Sequence, residues 1–231
     1  MTGPVDRDVW KRAAAERAMA AVRDGMVLGL GSGSTAEIAL ALLAERVGAG
    51  LRVRCIATSE RTRMLALQLG IPLTGFDAHA GIDLAIDGAD QVERGTLNLV
   101  KGLGGALLRE KIVAASAQRM IVVVDESKLV TRLGGRTPLP VEIAAFGWPS
   151  TVARLEAAGY RPTLRRADRA PFTTDGGNHI ADCAIAEIAD PRKLEADLHA
   201  LPGVVETGLF IGMASTVIVG GPQGVEELAP S

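Results

Sequence analysis

The chain has 231 residues, of which 48% are hydrophobic and only 3% aromatic, so it can bury a large core built from Ala, Val, Leu and Ile. A net charge of -2 gives no electrostatic ground for binding nucleic acid or an anionic membrane, and no run of 18 apolar residues could span a bilayer. Two cysteines, Cys55 and Cys183, lie far apart in apolar runs; this argues against a disulfide framework or a thiolate-held metal and fits free thiols in a reducing cytosol.

The start of the chain, MTGPVDRDVWKRAAAERA, is charged and has no apolar signal core. Trp10, Ala14, Ala18 and Ala21 recur at helical spacing and predict a helix over Asp6 to Arg23, stopped by Asp24-Gly25. Met26 to Leu30 reads as a buried strand. Gly31-Ser32-Gly33-Ser34-Thr35-Ala36 then opens a helix that runs through Val47. Strand, glycine turn and helix N-terminus together make a phosphate-binding arrangement, with exposed N–H groups and the Ser and Thr hydroxyls as donors. The same hydroxyls also suit plain helix capping. The turn formally fits G-x-G-x-x-A, a dinucleotide signature, but the next strand, Leu51 to Thr58, ends in Thr58-Ser59 rather than the acid that motif needs. Glu60 to Leu69 is a helix closed by Gly70, and Ile71 to Phe76 reads as a short strand.

The chemistry concentrates between Ile82 and Lys111. A strand over Ile82 to Ile86 delivers Asp87-Gly88-Ala89-Asp90 at its C-terminal end. A second, Thr96 to Val100, delivers Lys101-Gly102-Leu103-Gly104-Gly105. A helix then opens at Gly105 or Ala106 and runs to Gln118, with Glu110 in an early turn on a face shared with Ala106, Leu107, Val113 and Ala114. An acid, a base, a cation and exposed amides within thirty residues suit proton transfer on a small anion. Blander readings stand beside this one: Asx-turn chemistry for Asp87 and Asp90, a solvated lysine at Lys101, and a first-turn acid at Glu110. Met120 to Val124 is a parallel-type strand that ends near Lys128, either a second phosphate cation or a surface lysine. Ligands of open α/β sheets bind at the carboxyl ends of the strands, where these segments fall.

From Leu133 glycines and prolines mark a boundary. A small α+β unit follows: a strand at Val141 to Phe146, a helix at Ser150 to Ala158, and a strand at Tyr160 to Arg166. A hairpin then pairs Phe172–Thr174 with His179–Ile188, before a helix at Pro191 to Ala200 and a strand at Val204 to Thr207. This β-α-β-β-α-β order is ferredoxin-like. Leu209 to Met213 and Thr216 to Gly220 return to core strand. The expected fold is therefore α/β: a Rossmann-like, mostly parallel sheet domain (1–132 and 209–231) with an inserted α+β domain (133–208). His79, His179 and His199 show no ligand spacing, so no metal is assigned.

The motifs, in order, resemble type A ribose-5-phosphate isomerase over nearly the whole chain. They are Gly29 to Ala36, Thr58-Ser59, Asp87 to Asp90, Lys101-Gly102 with Arg109-Glu110-Lys111, Ser127-Lys128, Pro138 to Glu142, Thr174-Asp175, and Pro202 to Glu206 with Gly208-Leu209-Phe210. The resemblance implies interconversion of D-ribose 5-phosphate and D-ribulose 5-phosphate in the non-oxidative pentose phosphate pathway. It also implies a cytoplasmic enzyme without a cofactor, a homodimer before a homotetramer, with a small sugar phosphate as its partner. Carried over by position, Glu110 matches the general base, Asp87 the acid/base at the substrate oxygens, and Lys101 the cation near the oxyanion. Ser32, Gly33, Ser34, Thr35, Asp87 through Asp90, Lys101 through Gly104, and Lys128 match substrate-binding segments. Gln91, Leu103, Leu108 and Gly176 depart from the usual Glu, Gly, Thr and Asn, and Leu103 stands where glycine could be needed for φ > 0. Two alternatives remain: a non-catalytic sugar-phosphate sensor of the same fold, and a nicotinamide-dependent dehydrogenase.

Overall fold

The structure, a computed structural model, describes residues 7–230, so the predicted helix start at Asp6 and the outermost ends of the expected first domain lie outside the described residues. In chain order the elements begin with α1 (Arg7–Met19), β1 (Val27–Leu30), α2 (Ser34–Gly48), β2 (Arg54–Ala57) and α3 (Glu60–Gln68). Next come β3 (Leu84–Asp87), β4 (Gln91–Glu93), β5 (Leu99–Val100), α4 (Leu107–Ala115), β6 (Met120–Asp125) and β7 (Leu129–Val130). The small unit supplies β8 (Leu139–Ile143), α5 (Trp148–Ala157), β9 (Pro162–Leu164), β10 (Arg166–Ala167), β11 (Ala170–Pro171), β12 (His179–Cys183), α6 (Pro191–His199) and β13 (Val204–Thr207). The chain closes with β14 (Leu209–Phe210), β15 (Thr216–Gly221) and β16 (Gly224–Leu228).

The central sheet has the order β16-β15-β6-β3-β1-β2 and is parallel except at the β15–β16 edge. Strand alternation divides its side chains between two cores. Leu28, Leu30, Ile121 and Val123 meet Ala14 and Ala18 of α1 and Leu40 and Leu43 of α2. Ala85, Val122 and Val124 meet Val113 and Ala114 of α4, with Phe210. The chain winds from β1 out to β2 and then back past β1 to β3. The carboxyl ends of β1 and β3 therefore flank the switch point, where an open sheet leaves a crevice for ligand.

The small unit forms an antiparallel sheet, β13-β8-β12-β9, in the expected β-α-β-β-α-β order; its core is built on Val141, Ile143, Leu155, Ala181 and Leu198. A third sheet, β14-β5-β4-β7, joins the strands after β3 to the returning chain. Helix α4 packs Val113 and Ala114 on the large sheet while also touching β8 and β13. It is the element shared by both halves.

Several expected elements are shorter or differently paired. The first helix ends at Met19, and a turn (Ala21 N–H to Ala18 carbonyl, 3.0 Å) leads toward β1. Ile71 to Phe76 makes one bridge, Leu73 to Cys55, rather than a strand. Thr96 to Val100 is extended only at Leu99–Val100, because Leu97 takes φ 55° in a turn that folds β5 onto β4. The helix predicted to Gln118 stops at Ala115. In the predicted hairpin the turn exists, with Thr174 N–H donating to the Asn178 carbonyl at 2.9 Å, but Phe172–Thr174 is not its strand. The true neighbours of β12 are β8 and β9, which let Ile180, Ala181 and Cys183 be buried. Leu209 to Met213 contributes only the short β14, paired with β5 in the third sheet.

Gly220 on β15 sits directly under α1: a β-carbon there would lie 2.1 Å from the Trp10 carbonyl oxygen. Backbone cannot yield as a side chain can, so Gly220→Ala must displace α1. A loss of about 1–3 kcal/mol is expected in urea melts; an unchanged midpoint would contradict the packing described.

Candidate active site

Each segment at the crevice is placed by a strand end. The turn after β1 continues the β1–β3 ladder, with Gly31 N–H on the Ile86 carbonyl at 2.9 Å. A β-carbon on Gly31 would lie 2.1 Å from Asp87 Oδ1, so only glycine lets that carboxylate lie against the turn. Asp87 Oδ1 accepts from Ser32 N–H at 3.0 Å and Gly88 N–H at 2.7 Å. Its Oδ2 lies 3.0 Å from Lys101 Nζ. Lys101 Nζ also donates to the Gly88 carbonyl at 2.7 Å and stands 3.3 Å from Glu110 Oε2 and 5.6 Å from the Phe210 ring centre. Asp87, Lys101 and Glu110, each at least 94% buried, thus form one acid–lysine–acid array.

The electrostatics of the array are lopsided. Burial pushes Glu110 up; Lys101 opposes, Asp87 and Asp90 reinforce, and the carboxyl is raised from 4.5 to about 8. Although Lys101 Nζ stands 3.3 Å away, Oε2 is a buried oxygen without a hydrogen bond. For Lys101 burial is again the largest influence, this time downward, but Asp87 and Glu110 together outweigh it and hold the ammonium above its ordinary range. Glu110 is therefore readily protonated.

A cavity of about 220 Å³ opens above the array. Among the predicted residues Ser32, Gly33, Ser34, Thr35, Gly88, Ala89, Asp90, Lys101, Gly102, Gly104, Glu110 and Lys128 line it. Asp87 and Leu103 do not. Asp87 instead contacts two residues that do line it, Gly88 through its N–H and Lys101 through Nζ. Leu103 is 43% exposed, and only its backbone takes part, with N–H on Asp90 Oδ2 at 2.9 Å. Its φ is not positive, so the departure from glycine carries no backbone strain. Ser32 borders the cavity, but its hydroxyl turns away into a cluster with Thr58 (2.7 Å), Ser59 (3.1 Å) and Thr62 (3.3 Å). That cluster braces the turn: Thr58 and Thr62 hydroxyls donate to the Leu30 and Gly31 carbonyls at 2.8 and 3.0 Å. Gln91 uses both ends of its amide on Gly134, accepting from N–H at 2.8 Å and donating to the carbonyl at 2.7 Å. A glutamate could not donate the second bond.

Sequence reasoning missed Arg7, Lys11 and Asp125, which also line the cavity. Lys11 Nζ donates to Ser34 Oγ at 3.3 Å, which fixes α1 to the phosphate-type turn. The i, i+4 spacing of Arg7 and Lys11 puts them on one helix face, but nothing local says what that face meets. Arg7, Lys11 and Lys128 line the same cavity as the uncapped start of α2, a set of donors suited to a phosphate. Among the described residues Glu195, His199 and Glu206 gather ligand-type atoms that the sequence spacing did not show. The Lys111 ammonium already sits there, 3.0 Å from Glu195 and 2.6 Å from Glu206.

An open α/β sheet with an anion turn at its switch point and a buried carboxyl poised beside a lysine defines a protein built for proton transfer on a small phosphorylated molecule. Residues 54–224 match the family model for ribose 5-phosphate isomerase A (phosphoriboisomerase A), and the chain belongs to that family. Ribose-5-phosphate isomerase A of Gloeobacter violaceus is 54% identical over 227 residues, covering 98% of this chain and 99% of its own. The solved structure of ribose 5-phosphate isomerase A from Methanocaldococcus jannaschii superimposes with a TM-score of 0.92 at 41% identity, covering 97% of this chain and 100% of that one. A D-ribose-5-phosphate isomerase in complex with phospho-erythronic acid gives a TM-score of 0.92 at 37% identity, covering 96% and 98%.

Because folding raises the Glu110 carboxyl to about 8, the folded chain keeps a proton that the unfolded chain loses above about 4.5. The stability tied to that proton is complete below the lower value and is lost as pH rises through the upper one. Glu110→Gln never ionises. It should match the wild type near pH 4.5 and exceed it by about 1 kcal/mol or more above pH 8 in denaturant melts. A difference that shrinks with rising pH would refute the assignment of the raised carboxyl.

Proposed function

We propose that this chain interconverts D-ribose 5-phosphate and D-ribulose 5-phosphate through an enediolate, in keeping with its family. The observation that carries the reading is the raised, buried Glu110 beside Lys101 at a cavity that also carries Arg7, Lys11 and Lys128. The phosphate binds these three cations and the free N–H groups at the start of α2, and supplies binding energy remote from the reacting carbons. Glu110 takes the proton from C2 and returns it at C1. A carboxylate of raised basicity suits that work near neutral pH. Lys101 stabilises the oxyanion as it forms, in a site where burial strengthens the interaction. The Asp87–Lys101 pair moves the proton between O1 and O2, while Asp90, on the cavity wall, meets the sugar hydroxyls.

The phospho-erythronic acid held by a relative joins a phosphate to a carboxylate, a charge pattern that suits cations at the phosphate turn and Lys101 at the reacting end. The sensor alternative is not favoured, because the base, the relay acid and the lysine are all present and the relatives are named as isomerases. We take residues 133–208 as the inserted unit, with the remainder bearing the site, and the working form as a cytoplasmic homo-oligomer. Among the described residues no helix is long and apolar enough to cross a membrane.

The direct test is a cofactor-free assay converting ribose 5-phosphate to ketose, with and without EDTA. Turnover insensitive to the chelator is expected. In Glu110→Gln, solvent exchange of the C2 proton should fall by about 10²–10⁴-fold while sugar-phosphate binding persists. Near-normal turnover in that variant would sink the role given to Glu110.

A further inference from the structure

We propose that Arg165, in the small unit, is a positioning residue for the isomerisation: it holds the turn between Lys101 and α4 so that the Gly104 N–H faces the reacting oxygens. This rests on the reading of the preceding section. The turn joins the oxyanion cation to the helix that carries the base, so its aim sets both.

Arg165 Nη1 donates to the carbonyls of Gly102 at 3.0 Å and Leu103 at 2.9 Å. In a trans peptide the carbonyl of one residue points opposite to the N–H of the next, and none of the described peptides is cis. The first carbonyl obeys this visibly: opposite it, the Leu103 N–H meets Asp90 Oδ2 at 2.9 Å. By the same rule the Gly104 N–H, opposite the Leu103 carbonyl, points away from Arg165. Gly104 lines the cavity together with Lys101 and Glu110. Among the described residues no backbone acceptor takes its N–H.

Arg165 is itself held. Nε and Nη2 donate to the two oxygens of Asp182 on β12 at 2.9 and 2.5 Å, and the guanidinium lies 5.9 Å from the Phe172 ring centre. The Phe172 ring also covers Gly105, the last residue of the turn. A planar fork can grip a carboxylate with one edge and two carbonyls with a free nitrogen; a lysine ammonium cannot do both. Its charge is matched by Asp182, and its side chain does not line the cavity, so it acts through the turn and not on the substrate.

The test compares steady-state kinetics with competitive inhibition by inorganic phosphate, which reports on Lys11, Lys128 and the start of α2. In Arg165→Met, kcat for ribose 5-phosphate should fall by about 10-fold or more, with the phosphate inhibition constant unchanged. Arg165→Lys should recover little of the loss. Asp182→Asn, which keeps Arg165 but loosens its anchor, should lower kcat less, again without affecting phosphate. Wild-type kcat in a folded Arg165→Met overturns the proposal. So does a parallel loss of kcat and phosphate binding, the mark of a merely structural role. Where circular dichroism shows Arg165→Met unfolded, wild-type kcat in both Arg165→Lys and Asp182→Asn overturns it. A wild-type enzyme that does not turn over ribose 5-phosphate would instead sink the isomerase reading itself, a result distinct from a variant that behaves like an active parent.

Discussion

The structure depends on one buried ammonium. Lys101 stands between Asp87 and Glu110, 3.0 and 3.3 Å away, with the Gly88 carbonyl as a further partner. Removing charges from water is costly, and such a group persists only where its members compensate one another. Here they do so unevenly. Asp87 has backbone N–H donors on one oxygen and the lysine on the other, whereas Glu110 has a longer ion pair and no hydrogen bond on Oε2. That asymmetry sets two carboxyls of the same chemistry in different surroundings: Asp87 with every oxygen partnered, Glu110 with a buried oxygen that has no hydrogen bond.

Much of the surrounding architecture serves this array. The β1 turn has glycine where the Asp87 carboxylate must approach, and hydroxyls of Thr58 and Ser59, between β2 and α3, and of Thr62 in α3 brace that turn. Helix α4 is gripped on one side by the parallel sheet through Val113 and Ala114. On its other side Lys111 reaches Glu195 and Glu206 of the small unit. Lys111 also lies 5.3 Å from the centre of the same Phe210 ring that Lys101 approaches. The small unit is therefore more than an appendage: Arg165, Phe172 and Asp175 all meet the loop and helix that carry Lys101 and Glu110.

Arg7, Lys11 and Lys128 line the cavity together with the start of α2, and Lys101 and Glu110 of the buried array line it too. The uncapped helix start adds N–H donors without a side chain that would compete for the phosphate.

The sequence by itself determined the strand-end positions of Asp87, Asp90, Lys101 and Lys128, the apolar face that holds Glu110, the glycine turn before α2, and the order of the small unit. These follow from period, punctuation and the rule that ligands sit at carboxyl ends, all of which are local. Tertiary structure decided the rest. It left Asp87 out of the cavity lining and turned the Ser32 hydroxyl into a brace. It brought α1 across the sheet so that Arg7 and Lys11 face the turn, and exchanged the expected hairpin partner of β12 for β8 and β9. It also decided the sign of the Glu110 shift, because a helix start favours the anion and burial opposes it. Only the depth and alignment of neighbouring groups determine which prevails, and those are set by contacts between residues far apart in the chain.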